Sequence, residues 1–573
     1  MLKLFGKVIY FIENQTLTFS GWMISFFTLL GLNLFFQFIT YNFKNISVEY
    51  FIGEIIQAYY FILYLAVVIF LYLITSQKSN VKSRMLNIRK CKIENYTSKV
   101  DYFKQPKDSQ DKNKNIELLN ILKFVLWGFW SIIFWPIIDK LILGDKFHLS
   151  FYLYDSVEGI FNNLITFFGP IVPVGILYGT RIETLFIILI TGLYVYYKTE
   201  SFLRVLFSVV GIYTIFYISV ALPSILMFMV TMFNGGDVMG ITNLDVVKFF
   251  NTPLQYFGTG EREFMVTFFY KISLFYNLIF ISLLIWLQFL WNKQKLNILI
   301  KNIRLPQMIF NWGLLGVGIL VGLFYIPENL TKDIFSWLVV INLSLSILFI
   351  WLFSVIINDI EDYNIDSISN KNRPLIQRII SNKEYLNYGY IFLFLAELCS
   401  LTISGKIFIL INLYALITII YSKYPFKLKR IPLVAGIISS TASLLFFLSG
   451  YFLIIGDDSI NFPWGIILFL FGSYALILPI KDLKDINSDK QNNILTVANL
   501  LGEKLARIYF GVVIFLIFIL TVFIFNFKEL FIPAIILGSI AYWIVNNKKN
   551  SRNILLYKIL GVVIIYLLLI IFM

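Results

Sequence analysis

Residues 333–366 read DIFSWLVVINLSLSILFIWLFSVIINDIEDYNID. The run 333–357 carries one charge, Asp333, at its start. At about 1.5 Å per residue it is long enough to cross the roughly 30 Å hydrocarbon core of a bilayer. It then stops in a cluster of acids. Runs of this kind fill the chain. In the N-terminal half they fall near 17–41, 50–75, 118–138, 156–178, 182–197, 202–233 and 265–291. In the C-terminal half they fall near 306–326, 333–357, 384–403, 406–422, 431–455, 463–480, 505–526, 529–546 and 554–573. Barrel strands would alternate over segments of about ten residues, whereas these runs are continuous. The expectation is an all-α polytopic membrane protein. A C-terminal bundle of about nine transmembrane helices (300–573) follows an N-terminal bundle of about six spans (1–299).

Composition agrees with that reading. The chain has 573 residues, 59% hydrophobic and only 14% charged. An ordinary soluble domain has about 25% charged residues. So few charges cannot cover a soluble globule of this size, which excludes a cytosolic enzyme, a nucleic-acid-binding module and a disordered chain. The lipid bilayer is the partner, and no nucleic acid is expected. The net charge of +14 reads as loops rich in Lys and Arg on one side. Gln77–Glu117 is the richest and predicts a cytoplasmic loop, so the N-terminus, two spans earlier, is cytoplasmic in the cell membrane too. The run 17–41 is too long for a signal peptide. Cys91 lies in that basic loop and Cys399 in an apolar run, so no disulfide is expected. His148 is the only histidine, which leaves no Cys/His metal set.

A second basic stretch, Lys293, Lys295, Lys301 and Arg304, should also be cytoplasmic. Five runs separate it from the first, and an odd number of crossings cannot return the chain to the same side. The run 156–178, broken by Gly169-Pro170 and Pro173, is the best candidate for not crossing. Its rival is a tight hairpin at 202–233, bent at Pro223.

Counted from a cytoplasmic Arg304, the segments after the second and sixth C-terminal spans are cytoplasmic. The first holds Asp359, Asp362 and Asp366, and the second holds Asp482, Asp485 and Asp489. Both triplets follow i, i+3, i+7, which on a helix gathers three carboxylates over two turns. With 33 acids in 573 positions, two such triplets, each at a span end, exceed chance. Clustered like charges repel, and a cation offsets the repulsion. Ligands that are all oxygen select Mg²⁺ or a similar hard ion, usually shared with phosphate. Lys371, Arg373 and Arg378 follow the first triplet, and Lys481, Lys484 and Lys490 flank the second. Between them runs the Lys-rich loop Tyr421–Arg430. Acids and bases on one membrane face, above an apolar bundle, suit a magnesium diphosphate with an apolar tail.

The two motifs, Asn358 to Asp366 and Asp482 to Asp489, resemble those of the UbiA superfamily of intramembrane prenyltransferases, NDxxDxxxD followed by DxxDxxxD. The resemblance extends to Asn372-Arg373-Pro374-Leu375, Thr496, Leu501-Gly502, the Tyr421–Arg430 loop and Arg304-Leu305-Pro306. It covers residues 300–573. It departs at Arg378, Ser488 and Asn493, where the family usually has glycine. It implies a Mg²⁺-dependent transfer of a prenyl group from a prenyl diphosphate to an apolar or aromatic acceptor. Asn358, Asp359, Asp362, Asp366, Asp482, Asp485 and Asp489 would hold metal. Asp362, Asp366, Asp485 and Asp489 carry the catalytic role. Arg373, Lys429, Arg430 and Lys490 would contact the diphosphate, with Lys423 and Lys427 as weaker candidates. The competing reading is a transporter or channel, which would place acids at mid-membrane on broken helices. Here they cluster at span ends.

Outside the motifs, Asp139 reads as an interfacial span end, Arg181 and Glu183 as a local pair, and Glu397 as an ionisable group within a span. The N-terminal half shows no chemistry of its own.

Overall fold

The structure is a computed structural model. It describes residues 2–40, 58–94, 107–144, 156–170, 176–251, 264–329, 333–369, 373–456, 462–484, 486, 496–524 and 526–547, with scattered positions between 555 and 569. The described residues form helices and their connections, with no strand among them. Among the described residues, twelve helices are long and apolar enough to cross a membrane. The chain is a multi-pass membrane protein. It divides into two compact units, Met1–Thr252 with Glu263–Lys293 and Gln294–Met573 with Pro253–Arg262.

The first unit contains α1 (Leu2–Asn14), α2 (Phe19–Thr40), α3 (Tyr59–Glu94), α4 (Lys107–Gly128), α5 (Phe134–Leu143) and α6 (Val157–Ile165). It continues with α7 (Tyr178–Thr199), α8 (Phe202–Phe233), α9 (Asn243–Asn251) and the start of α10 (Phe264–Lys301). The helix α10 leaves helical geometry at Asn292 (φ −160°, ψ 100°), next to the division between the units. Within the run 156–178 the one described helix is α6, nine residues long. That is about 13 Å, well short of the bilayer core. The run 202–233 is not a hairpin. It is one continuous helix with Pro223 inside it. The other five runs each overlap a helical stretch long and apolar enough to span.

Two expectations for this unit change. Arg181 does not pair with Glu183. Its guanidinium donates to the carbonyls of Phe167 (2.9 Å), Ile176 (3.0 Å), Phe168 (3.2 Å) and Pro170 (3.3 Å). It thereby serves carbonyls that the broken segment after α6 leaves without helical partners. Glu183 instead accepts from Ser131 Oγ at 3.0 Å. Asp139 is buried rather than interfacial, and its Oδ1 accepts the Gly179 N–H at 2.7 Å.

The second unit contains α11 (Leu305–Tyr325), α12 (Ile334–Glu361), α13 (Tyr363–Ser369), α14 (Asn382–Leu401), α15 (Gly405–Ser422), α16 (Pro432–Ile455), α17 (Trp464–Ile477), α18 (Val497–Ile524) and α19 (Phe531–Asn546). Six of its helices meet the spanning criterion, and Trp464–Ile480 is a shorter apolar helix. Local signals set the boundaries. Asp333, Ser381 and Ser404 accept backbone N–H groups at the starts of α12, α14 and α15, satisfying donors with no partner inside the helix. Pro306 and Pro432 stand in the first turns of α11 and α16, where a missing N–H costs nothing.

The packing of α11 on α16 depends on two glycines. A Cβ on Gly318 would lie 2.0 Å from the Phe447 carbonyl oxygen, and one on Gly450 would lie 2.2 Å from that of Leu315. Small residues let helix backbones meet this closely inside a membrane. This contact fixes the wall that carries Arg304 and Asn311.

Candidate active site

The first acidic motif straddles a helix end. Asn358 and Asp359 close α12, Asp362 is its C-cap (φ −96°, ψ 13°), and Asp366 lies in α13. Helical spacing survives the junction, because the N–H of Asp362 bonds the Asn358 carbonyl at 2.9 Å and that of Asp366 bonds the Asp362 carbonyl at 2.8 Å. Asn358, Asp362 and Asp366 all line one cavity of about 1220 Å³.

Asp359 does not line that cavity. It is 2% exposed. Arg304 bonds its Oδ1, and Arg373 Nη1 stands 3.5 Å from the same oxygen. Its Oδ2 accepts from the Tyr385 hydroxyl at 3.1 Å and from Asn302 Nδ2 at 3.4 Å. Asn302 in turn meets the Tyr385 hydroxyl at 2.5 Å. The expectation put Asp359 among the metal ligands. Here side-chain donors occupy both its oxygens, as a buried carboxylate requires.

Around the cavity-facing acids stand cations. Lys429 Nζ lies 2.5 Å from Asp362 Oδ1 and 3.1 Å from Asn358 Oδ1. Ser422 Oγ meets the same Asn358 oxygen at 3.3 Å. Arg373 Nε is 3.7 Å from Asp366, so Arg373 bridges the buried and the cavity-facing carboxylates. Lys427 pairs with Glu361 at 3.0 Å. Arg304, Arg373, Lys429 and Arg430 all line the cavity. Burial pushes the Arg304 guanidinium below its ordinary range, and Asp359 opposes that shift. Arg304 Nε has no hydrogen-bond partner.

Beyond this charged end the wall is mainly apolar and aromatic, with Phe310, Val321, Phe324, Tyr414, Phe446 and Tyr474 among its residues. Glu397 is not part of the wall. Arg378 is exposed and also absent from it. Of the second motif, Asp482 falls in the 3₁₀ turn Leu478–Lys484, and its side chain lies outside the described residues. Asp485, Asp489 and Lys490 lie outside them as well. Thr496, just before α18, lines the cavity.

Among the described residues no three carboxylates converge as a metal site. The donor set still fits a hard cation. Asn358, Asp362 and Asp366 offer only oxygen toward the cavity, the donor type that Mg²⁺ takes.

Residues 311–554 match the model of the UbiA prenyltransferase family. Over this stretch, less than half of the chain, the sequence is similar to that family. The chain is similar to two archaeal proteins named digeranylgeranylglyceryl phosphate synthase. The one from Methanobrevibacter smithii is 29% identical over 164 residues, 27% of this chain and 55% of the relative. The one from Pyrococcus furiosus is 27% identical over 208 residues, 36% of this chain and 70% of the relative. The chain thus spans about half the length of the first of these relatives. A structure of a UbiA homologue from Archaeoglobus fulgidus bound to GPP and Mg²⁺ is 21% identical. It aligns over 46% of this chain and 96% of its own, with a TM-score of 0.37.

The sequence marks Arg304 as part of a basic stretch at the start of a span, and it gives no role to Asn302 or Tyr385. Nothing local distinguishes Tyr385 among the 34 tyrosines of the chain. Only the fold reveals that these three converge on Asp359.

Proposed function

We propose that the second unit is a UbiA prenyltransferase domain and transfers a prenyl group from a prenyl diphosphate to the hydroxyl of a lipid-type acceptor. One observation carries this reading. A cavity of about 1220 Å³ joins a charged end, with Asn358, Asp362, Asp366, Arg304, Arg373, Lys429 and Arg430, to an apolar body. The volume exceeds the roughly 300–1,000 Å³ of a small-molecule pocket, which suits two hydrocarbon chains. The relatives' names point to a glyceryl phosphate lipid among the possible acceptors.

In this reading Asn358, Asp362 and Asp366 hold Mg²⁺ together with Asp482, Asp485 and Asp489. When bound, the metal supplies positive charge that stabilises the departing diphosphate. Arg304, Arg373, Lys429 and Arg430 grip the diphosphate oxygens, with Lys490 beside them. The bond from C1 of the prenyl group to the diphosphate breaks, and the electron pair leaves with the diphosphate. The acceptor's hydroxyl oxygen bonds C1, and the departing diphosphate accepts its proton. Aromatic faces in the wall favour the allylic cation between these events. The apolar body excludes water, which would otherwise capture that cation. Asp359 takes a positioning role, holding Arg304 and Arg373 at the charged end.

The basic loops favour a cytoplasmic N-terminus and cytoplasmic acidic motifs. Cysteines at Ser98 and Gln377, in a chain without Cys91 and Cys399, should label from the same side; labelling from opposite sides contradicts the shared sidedness. The activity itself is tested with the full chain in nanodiscs. Geranylgeranyl diphosphate, Mg²⁺ and geranylgeranylglyceryl phosphate are supplied, and products are read by mass spectrometry. A doubly prenylated glyceryl phosphate is the expected product, and its absence removes this acceptor.

A further inference from the structure

Asn311 stands in the cavity wall on α11, seven residues beyond Arg304 and therefore about 10 Å along the helix axis from the charged end. It is only 6% exposed, and its Nδ2 has no hydrogen-bond partner. Its neighbour Phe310 meets Tyr474 edge-on at 5.6 Å, and all three line the cavity. A buried amide with an unmade bond costs free energy in the folded chain. A leucine would fill the same wall without that cost and would suit a prenyl tail better.

The donor cannot satisfy this group. Its tail is hydrocarbon, and its oxygens belong to the diphosphate, which the cations hold at the other end of the cavity. The acceptor is the substrate that can supply the partner. The amide exchanges nitrogen and oxygen by a half-turn about χ2, so its N–H can be presented to the cavity. We propose that Asn311 sets acceptor specificity by donating this N–H to the oxygen that joins the acceptor's hydrocarbon chain to its headgroup. This inference rests on the lipid-acceptor reading above and names the atom that is recognised. It implies a preference for ether-linked acceptors over carbon-linked ones.

The test uses the full chain in nanodiscs with geranylgeranyl diphosphate and Mg²⁺. Two acceptor probes are compared: geranylgeranylglyceryl phosphate, and its analogue with a methylene in place of the ether oxygen. A site built around a hydrogen bond rejects the analogue that lacks it. The unmodified chain should favour the ether probe at least tenfold in kcat/KM. Asn311→Leu should bring that ratio close to one, mainly by raising the KM for the ether probe, with the donor KM unchanged. Asn311→Gln should restore part of the preference, because it keeps the donor group. A structural role alone would not move the ratio between the probes. Should Asn311→Leu lose donor binding, Asn311→Ala is read in the same way. A ratio near one in the unmodified chain overturns the inference, and the amide then serves only a water. An unchanged ratio in the folded variants overturns it too. Transfer to neither probe by the unmodified chain removes the glyceryl phosphate acceptor, and the inference falls with it.

Discussion

Lys429 Nζ stands 2.5 Å from Asp362 Oδ1. The same ammonium is 3.1 Å from Asn358 Oδ1. A lysine thus occupies the oxygens proposed to hold a metal. It neutralises an acidic cluster that would otherwise repel itself, and it sits where an arriving diphosphate would need a cation. Replacing it should therefore have effects of opposite sign on the two ligands.

With Lys429→Gln, Asp362 loses its competing cation, so Mg²⁺ alone should bind more tightly, by a few-fold. The donor loses a charge-assisted hydrogen bond of about 1.5–3 kcal/mol, so its KM should rise by roughly 10- to 100-fold. Calorimetric titration of Mg²⁺ and steady-state kinetics with the donor separate the two effects. A donor KM within a factor of two of the unmodified chain would remove Lys429 from the diphosphate contacts.

Asp359 should behave unlike the acids that face the cavity. Asp359→Ala leaves the guanidinium groups of Arg304 and Arg373 without their shared buried carboxylate. Breaking such a pair by removing one partner costs about 3–5 kcal/mol. Thermal unfolding in detergent should show a large loss of stability, whereas Asp362→Ala, at the helix end, should shift it little. If Asp359→Ala unfolds at the unmodified temperature and has lost only Mg²⁺ affinity, Asp359 is a ligand and not an anchor.

Metal removal gives a third measurement. Turnover should vanish with EDTA and return with Mg²⁺ or Mn²⁺, because the cavity-facing donors are all oxygen. Asp362→Ala and Asp485→Ala should each abolish turnover. Full activity in metal-free buffer would sink the magnesium reading.

Much of the fold was legible because membrane crossing leaves a strong signature in a single sequence. Uninterrupted apolar runs became helices, and the long run 202–233 stayed whole despite Pro223. A proline inside a packed span is tolerated where neighbours re-satisfy the freed backbone groups. The sequence could also place Asn358, Asp362 and Asp366 together, because they are local to one helix end. The anchoring of Asp359 was illegible for the opposite reason. Asn302 is 57 residues away and Tyr385 is 26 away in the chain, and neither residue type is unusual in its segment. Arg181 was misread because its neighbour Glu183 suggested a pair, while a broken stretch of backbone offered it several carbonyls.

Arg378 supplies the last prediction. The family usually has glycine there, and the structure gives Arg378 a φ of 56°, in the left-handed region that a side chain disfavours by about 1–2 kcal/mol. Its side chain is exposed and lines no part of the cavity. The backbone that glycine would adopt freely is thus retained, with an arginine strained into it. Arg378→Gly should relieve the strain, less the roughly 0.5–1 kcal/mol that glycine's extra freedom in the unfolded chain costs. The net result is a stabilisation of at most about 1 kcal/mol with unchanged turnover. Arg378→Ala removes the same charge but keeps a Cβ at positive φ, so it should not stabilise. Thermal unfolding of the three proteins side by side reads the difference. Equal shifts for Ala and Gly would assign the effect to the lost charge, and a fall in donor affinity for both would add Arg378 to the diphosphate contacts.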